Sequence, residues 1–203
     1  ATARRWQEAG REIPVTVNLA PRHFTEPKLV ATIERMLDEA GVAGSALELE
    51  ITESTALSNI DRAVDVMKHL RTLGVRISLD DFGAGYSAMN HLSRLPVDVL
   101  KLDQSFVRGA PANRMDAAVV QAMTHLAHTI GVEVVAEGVE TEEQLAFVRA
   151  CGVDLAQGYL IAHPRPESDF DTRAAGFPIN VEASPAAGGS GSQRERVEVR
   201  RTR

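Results

Sequence analysis

The sequence predicts an α/β fold and, within that class, a TIM-type (β/α) barrel of which about six of the eight βα units are present. Short β-branched segments alternate with longer segments of helical periodicity, which indicates a parallel sheet. The alternation alone leaves two-layer and three-layer α/β folds open. Polar residues favour the barrel, because one lies at or just beyond the end of each predicted strand, namely Asn18, Glu50, Asp80, Lys101, Glu137 and Gln157. An open doubly wound sheet would gather its site at one switch point instead.

The elements follow one another at a steady spacing. The predicted strands are Val15–Leu19, Ala46–Thr52, Val75–Asp80, Val97–Leu102, Val132–Ala136 and Val153–Ala156. The predicted helices are Glu26–Ala40, Asp61–Leu73, a short one near Ser87–Ser93, Arg114–Ile130 and one that opens at Thr141 and stops at Gly152. Thr25 is the predicted N-cap of the first helix and Gly41 lies past its end, while Thr141 and Gln144 form a capping-box pattern.

The two ends of the chain depart from this alternation. The amphipathic segment Arg4–Ala9 is typical of the end of a helix, so we expect about two further βα units upstream to complete a barrel. From Phe177 the periodicity is lost, and the low-complexity segment 184–192 precedes an Arg-rich end. We therefore expect one domain over residues 1–176 and a disordered tail over residues 177–203.

Composition narrows the function classes. The chain has 203 residues, of which 44% are hydrophobic, and no apolar run approaches the length of a membrane span. The chain opens without the apolar segment of a signal peptide, and a single cysteine, Cys151, fits a reducing compartment, so we expect a cytoplasmic protein. The net charge of −6 argues against a nucleic-acid polymer as partner. An acidic protein that binds an anionic ligand needs metal ions to offset its carboxylates.

Carboxylates mark two of the predicted strands. Alternation in residues 47–53 puts Glu48 and Glu50 on one face, which is either the barrel interior or the solvated face of an edge strand. Asp80 and Asp81 end an apolar strand and run into a glycine-bearing loop. Adjacent carboxylates repel each other and are favoured where cations bridge them, although an ordinary Asp cap and turn remains an alternative.

A lysine and a set of oxygen ligands complete the candidate site. Lys101 interrupts an apolar strand, either as a structural ion pair with Asp103 or a rim carboxylate, or as a cation beside a phosphate or an attacking water. The combination of Asn, Glu and Asp without Cys or His favours Mg²⁺ or Mn²⁺ over Zn²⁺. His125 and His128 lie three residues apart without a third ligand, so we interpret them as structural.

Together these segments resemble the EAL family of cyclic di-GMP phosphodiesterases. The matching stretches occur in family order and are Val17–Leu19, Glu48–Ser54, Asp80–Ser87, Leu95–Val107, Val135–Glu140 and Gln157–Tyr159. The resemblance implies a TIM-type barrel that uses two metal ions, Mg²⁺ or Mn²⁺, to hydrolyse cyclic di-GMP to the linear dinucleotide pGpG. It also implies a homodimer and upstream sensory or cyclase domains.

The resemblance further implies a role for each matching residue. Asn18, Glu50 and Asp80 would bind one metal, with Asp80 bridging to a second metal held by Asp81. Glu137 would complete or position that second site, and Gln157 would hold a metal-bound water. Lys101 would orient and help to activate the attacking water.

Three more residues receive supporting roles on the same ground. Glu53 would buttress the loop Asp81–Ser87. Asp103 and Glu140 would lie near the metal or the guanine end of the substrate.

Three departures from the family pattern accompany this resemblance. No Glu-Ala-Leu sequence occurs in the chain, so the glutamate of the family's name motif, a metal ligand, is missing and this stretch alone is expected to be inactive. Ala84 stands where the family usually has Thr, and Ala20 where it usually has Ser. Besides an active phosphodiesterase, a sensor that binds cyclic di-GMP without cleaving it and a structural or dimerisation domain stay open.

Overall fold

Within the part of the chain that the structure describes, six parallel strands form one sheet in sequential order. The computed structural model describes residues 2–10, 13–83, 89–164 and 166. Each strand pairs in parallel with the next one along the chain, as in a TIM-type barrel, and this confirms the predicted α/β fold. The strands are β1 Val15–Asn18, β2 Leu47–Thr52, β3 Arg76–Phe82, β4 Val99–Leu102, β5 Glu133–Glu137 and β6 Leu155–Gln157.

One helix precedes the first strand, and the other helices lie between successive strands. They are α1 Thr2–Glu8, α2 Pro21–Phe24, α3 Leu29–Ala40, α4 Glu53–Ser58, α5 Ile60–Thr72, α6 Met89–Leu92, α7 Gln104–Gly109, α8 Arg114–Thr129 and α9 Glu142–Ala150. The capping box of α9 is formed as predicted, and Gly41 ends α3 in the left-handed region with φ 63°. Every helix among the described residues is too short or too polar to cross a bilayer. The predicted tail over residues 177–203 lies outside the described residues.

The first predicted helix began too early. The structure ends a separate short helix, α2, at Phe24 and begins α3 only at Leu29, so Thr25 is not an N-cap. Thr25 instead closes α2, because its backbone N–H donates to Pro21 O and its hydroxyl donates to Arg22 O. Of the other helices, α4 and α7 were also missed, since six residues each are too few to show a helical period.

The alternation of side chains along the strands divides the sheet into two faces. In β3, the fully buried Ile77 and Leu79 belong to the aliphatic core, whereas Arg76, Ser78 and Asp80 face the other way. A buried aliphatic side chain contributes about 1.5–3 kcal/mol, so the apolar face supplies most of the stability. The polar face is therefore the one available for chemistry.

Aspartates that precede two strands hold the N-terminal end of the sheet. Asp98 Oδ2 accepts from the backbone N–H of Ile77 at 3.0 Å, and its other oxygen pairs with Arg71 of α5 at 3.0 Å. Asp154 repeats the arrangement, accepting from Val134 N–H at 2.7 Å and from His128 of α8 at 2.8 Å. Each aspartate thus joins a neighbouring strand to an outer helix.

An ion-pair triad lies on the polar face at this same end. Arg76 is 3.4 Å from Glu48 and 2.9 Å from Glu133. Burial raises the pKa of Glu48 above its ordinary value, and Arg76 opposes that rise. Glu48 is therefore directed into the interior, as the alternation in β2 allowed, but it pairs with Arg76 and lies two residues before Glu50 along β2.

Candidate metal centre

Three carboxylates converge where β2, β3 and β5 end. Glu50, Asp80 and Glu137 each present an oxygen, and these oxygens all lie within 4.8 Å of one another. The parallel order of the sheet causes this convergence, because the carboxyl ends of all strands meet at one rim. Glu50 and Asp80 are buried, with 2% and 8% of their surface exposed. Such a group is costly to assemble unless cations compensate it.

Lys101 provides part of that compensation from the strand between β3 and β5. Its ammonium is buried, with 1% of the residue exposed, and contacts all three carboxylates. It donates to Glu50 Oε1, lies 2.6 Å from Glu137 Oε1 and lies 3.3 Å from Asp80 Oδ1. Three carboxylates around one ammonium leave an excess of negative charge that a divalent cation would neutralise.

Asp80 carries the clearest sign of an open ligand position. Its Oδ1 is buried and has no hydrogen-bond partner among the described residues, and its ion-pair contact with Lys101 is a long one at 3.3 Å. A buried carboxylate oxygen in this state costs free energy that metal coordination would recover. The donor set of three carboxylates is that of a hard cation, so the residues fit Mg²⁺, Mn²⁺ or Ca²⁺.

The remaining predicted ligands flank this cluster. Asn18 is the register partner of Glu50 across β1 and β2, and Gln157 is the partner of Glu137 across β5 and β6. Register partners in a parallel sheet direct their side chains to the same face, so both amides lie beside a carboxylate of the cluster. Asp81 follows Asp80, is exposed and has φ 56°, which is rare for a residue with a side chain.

Glu53 fixes the chain just after these aspartates. It is buried at the start of α4, and its Oε2 accepts from the backbone N–H of Gly83 at 3.0 Å. The Phe106 ring is also close, since a Cβ added at Gly83 would lie 3.0 Å from it. Gly83 is therefore bonded by a carboxylate and packed so near an aromatic ring that a side chain would crowd that ring. Ala84 and the rest of the predicted loop, up to Ser87, lie outside the described residues.

The two residues expected near the substrate make local contacts. Asp103 caps α7, since its Oδ1 accepts from Ser105 N–H at 2.8 Å. Glu140 pairs with Arg108 of α7 at 2.8 Å, and both of these side chains are more than one third exposed. No local pattern indicated Arg108, because its partner is 32 residues away along the chain.

Several known proteins are similar in sequence to this chain. The family model described as "EAL domain" matches residues 1–164. The cyclic di-GMP phosphodiesterase NbdA of Pseudomonas aeruginosa is 44% identical over 159 residues, which are 78% of this chain and 20% of that protein. The chain therefore spans about one fifth of the length of this curated relative.

Solved structures are similar to this chain in fold as well as in sequence. A cyclic di-GMP complex of the MucR phosphodiesterase, from Pseudomonas aeruginosa, matches with a TM-score of 0.78 and 38% identity over 81% of this chain and 67% of that one. A manganese and cyclic di-GMP complex of Klebsiella pneumoniae BlrP1 matches with a TM-score of 0.72 and 31% identity over 79% of this chain and 41% of that one.

Proposed function

The chain belongs to the EAL domain family, and from this premise we propose that it forms the metal-binding part of a phosphodiesterase that hydrolyses cyclic di-GMP to linear pGpG. The observation that carries the proposal is the convergence of Glu50, Asp80 and Glu137 around the buried Lys101. A structural domain has no need of three carboxylates in one buried site. Relatives that are named phosphodiesterases, or that hold cyclic di-GMP in their structures, support the choice of substrate.

Charge explains why this site needs metal. Cyclic di-GMP carries negative phosphodiesters, which an excess of carboxylates would repel without a divalent cation. We assign one ion to Asn18, Glu50 and Asp80, and a second to Asp80 and Asp81, with Glu137 and Gln157 completing the set. Mg²⁺ and Mn²⁺ are the proposed ions, and when bound they supply an activated water and stabilise the departing alkoxide.

The protein's own groups orient the reaction. We assign to Lys101 the orientation and activation of the attacking water, because its ammonium contacts all three carboxylates of the cluster that would hold the metal. We assign the proton that the water loses to Glu137, whose carboxylate is 2.6 Å from that ammonium. Asp103 and Glu140 shape the substrate side through α7 and the turn after β5, where Glu140 pairs with Arg108.

The proposed setting is a cytoplasmic homodimer with sensory or cyclase domains upstream. The upstream domains are supported by the curated relatives, which are several times longer than this chain, and one of which is named as both a cyclase and a phosphodiesterase.

The proposal is tested by incubating cyclic di-GMP with Mn²⁺ and separating the products by liquid chromatography. Two chains are compared: this one, and one extended upstream by the two βα units that would complete the barrel. We expect pGpG from the extended chain and little or none from the shorter one. Binding of cyclic di-GMP without any pGpG would instead identify a sensor. Failure of the extended chain to bind Mn²⁺ would refute the metal site.

Glu53 provides a prediction about the loop that follows Asp81. We expect Glu53→Ala to lower Mn²⁺-dependent turnover by about 10–100-fold, because Gly83 N–H loses its acceptor and Asp81 is no longer held. Glu53→Gln keeps an acceptor oxygen and is expected to lose less. Glu39→Ala, which removes an exposed glutamate of α3, is the matched control and should leave turnover unchanged. Equal turnover in Glu53→Ala and Glu39→Ala would contradict the assignment.

A further inference from the structure

We propose that Gly158 is a positioning residue, whose missing side chain sets the separation between Gln157 and Glu137. This inference rests on the proposed function, since it concerns the rim that carries the metal ligands. It is drawn from a close approach between two backbone segments, one after β5 and one after β6. The Cβ of any other residue at Gly158 would lie 2.1 Å from Val139 O and 2.3 Å from Val139 N.

The Val139 peptide cannot yield to such a side chain. Val139 is fully buried within the aliphatic core. Its N–H donates to Gln157 O at 3.0 Å, and its carbonyl accepts from Leu160 N–H at 3.1 Å. Both polar groups of this residue are therefore bonded to residues on either side of Gly158, and the two hydrogen bonds draw the segments together where only a glycine fits.

Val139 and residues 157–160 form a backbone clasp. This clasp lies directly beside two of the proposed metal ligands. Glu137 and Gln157 are register partners in adjacent strands; Glu137 lies two residues before Val139, and Gln157 is itself part of the clasp. Glu137 contacts Lys101 at 2.6 Å, so its position is fixed from the interior of the sheet. Moving the segment after β6 away from Val139 would therefore move Gln157 away from Glu137 and Lys101.

The turn after Glu137 also brings the chain close to the segment after β6. Gly138 has φ 70°, in the left-handed region, and this conformation turns the chain so that Val139 faces the segment after β6. A Cβ at Gly138 would also lie 2.7 Å from Gln104 Cβ of α7. Two glycines thus allow three elements to meet directly beside the rim.

The test measures Mn²⁺ affinity by isothermal titration calorimetry on the chain extended upstream by the two βα units. We expect Gly158→Ala to weaken Mn²⁺ binding by about tenfold, the lower range for outer-shell changes around a metal. Gln157→Ala should weaken it by a similar factor. The double variant should bind no more weakly than Gln157→Ala alone, because Gly158 acts only through Gln157.

Gly152→Ala is the matched control for destabilisation. Gly152 has φ 78°, and a Cβ added to it would meet nothing within 4 Å, so the substitution strains the backbone without touching the rim. It should lower the melting temperature and leave Mn²⁺ affinity unchanged. If Gly158→Ala fails to fold, Leu160→Pro removes one clasp hydrogen bond without adding atoms at Gly158, and a loss of Mn²⁺ affinity is again expected.

The measured Mn²⁺ affinities show whether the positioning role of Gly158 or the metal site itself is wrong. Wild-type affinity in a folded Gly158→Ala variant, or additive losses in the double variant, would overturn the positioning role. An unchanged affinity in Gln157→Ala, with Asp80→Asn still impaired, would remove Gln157 from the ligand set and the inference with it. A wild-type chain that does not bind Mn²⁺ would refute the proposed metal site itself.

Discussion

Asp80→Asn is expected to reduce hydrolysis of cyclic di-GMP by about 10³-fold or more, which corresponds to roughly 4 kcal/mol of lost transition-state stabilisation. The substitution keeps the shape of the side chain and removes its charge. Asp80 lies within 4.8 Å of both Glu50 and Glu137, and its Oδ1 has no hydrogen-bond partner among the described residues. The variant should therefore lose an oxygen ligand that we assign to both ions.

The measurement is turnover of the extended chain at saturating Mn²⁺, together with Mn²⁺ affinity by calorimetry. Asp98→Asn is the control, because Asp98 bonds Ile77 N–H and Arg71 at the other end of the sheet. That control should lose stability and retain Mn²⁺ affinity. Unchanged turnover in Asp80→Asn would refute the assigned site.

Lys101→Met is expected to abolish turnover and also to make folding dependent on metal. The variant leaves three neighbouring carboxylates without their ammonium partner, two of them buried. Removing one partner of a buried ion pair costs about 3–5 kcal/mol. We therefore expect the free energy of unfolding in EDTA to fall by about that amount. Mn²⁺ should restore much of it, because a cation that binds only the folded state stabilises that state.

Thermal melts with EDTA and with Mn²⁺ measure this effect. Lys68→Met is the matched control, since Lys68 is an exposed lysine of α5. Its melting temperature should respond to Mn²⁺ as the wild type does. A Lys101→Met chain as stable in EDTA as Lys68→Met would mean that the carboxylates do not depend on this lysine.

Much of the fold could be predicted because its signals are local. Gly41 ends α3 and Thr141 caps α9 within a few residues of the pattern that indicates them. The rim could also be predicted, since parallel strands bring the residues at their carboxyl ends together. That rule brings Glu50, Asp80 and Glu137 to one rim although they are far apart in the sequence, but it left open whether Glu50 faces the interior.

The contacts of the site could not be predicted, since they depend on register and side-chain direction. The sequence left open whether Lys101 pairs with Asp103 or with a rim carboxylate. In the structure it contacts three rim carboxylates, while Asp103 caps α7. The approach of Gly158 to Val139 was likewise hidden, because it joins backbone atoms of two separate turns.

The aspartates that precede β4 and β6 have a structural role that is separate from the metal centre. Asp98 and Asp154 secure strands and outer helices at one end of the sheet, far along each strand from the carboxylates of the rim. That end of the sheet is thus secured by aspartates that lie outside the cluster of Glu50, Asp80 and Glu137. A substitution at Asp98 or Asp154 is therefore expected to loosen the sheet and its outer helices while every carboxylate of the rim stays in the chain.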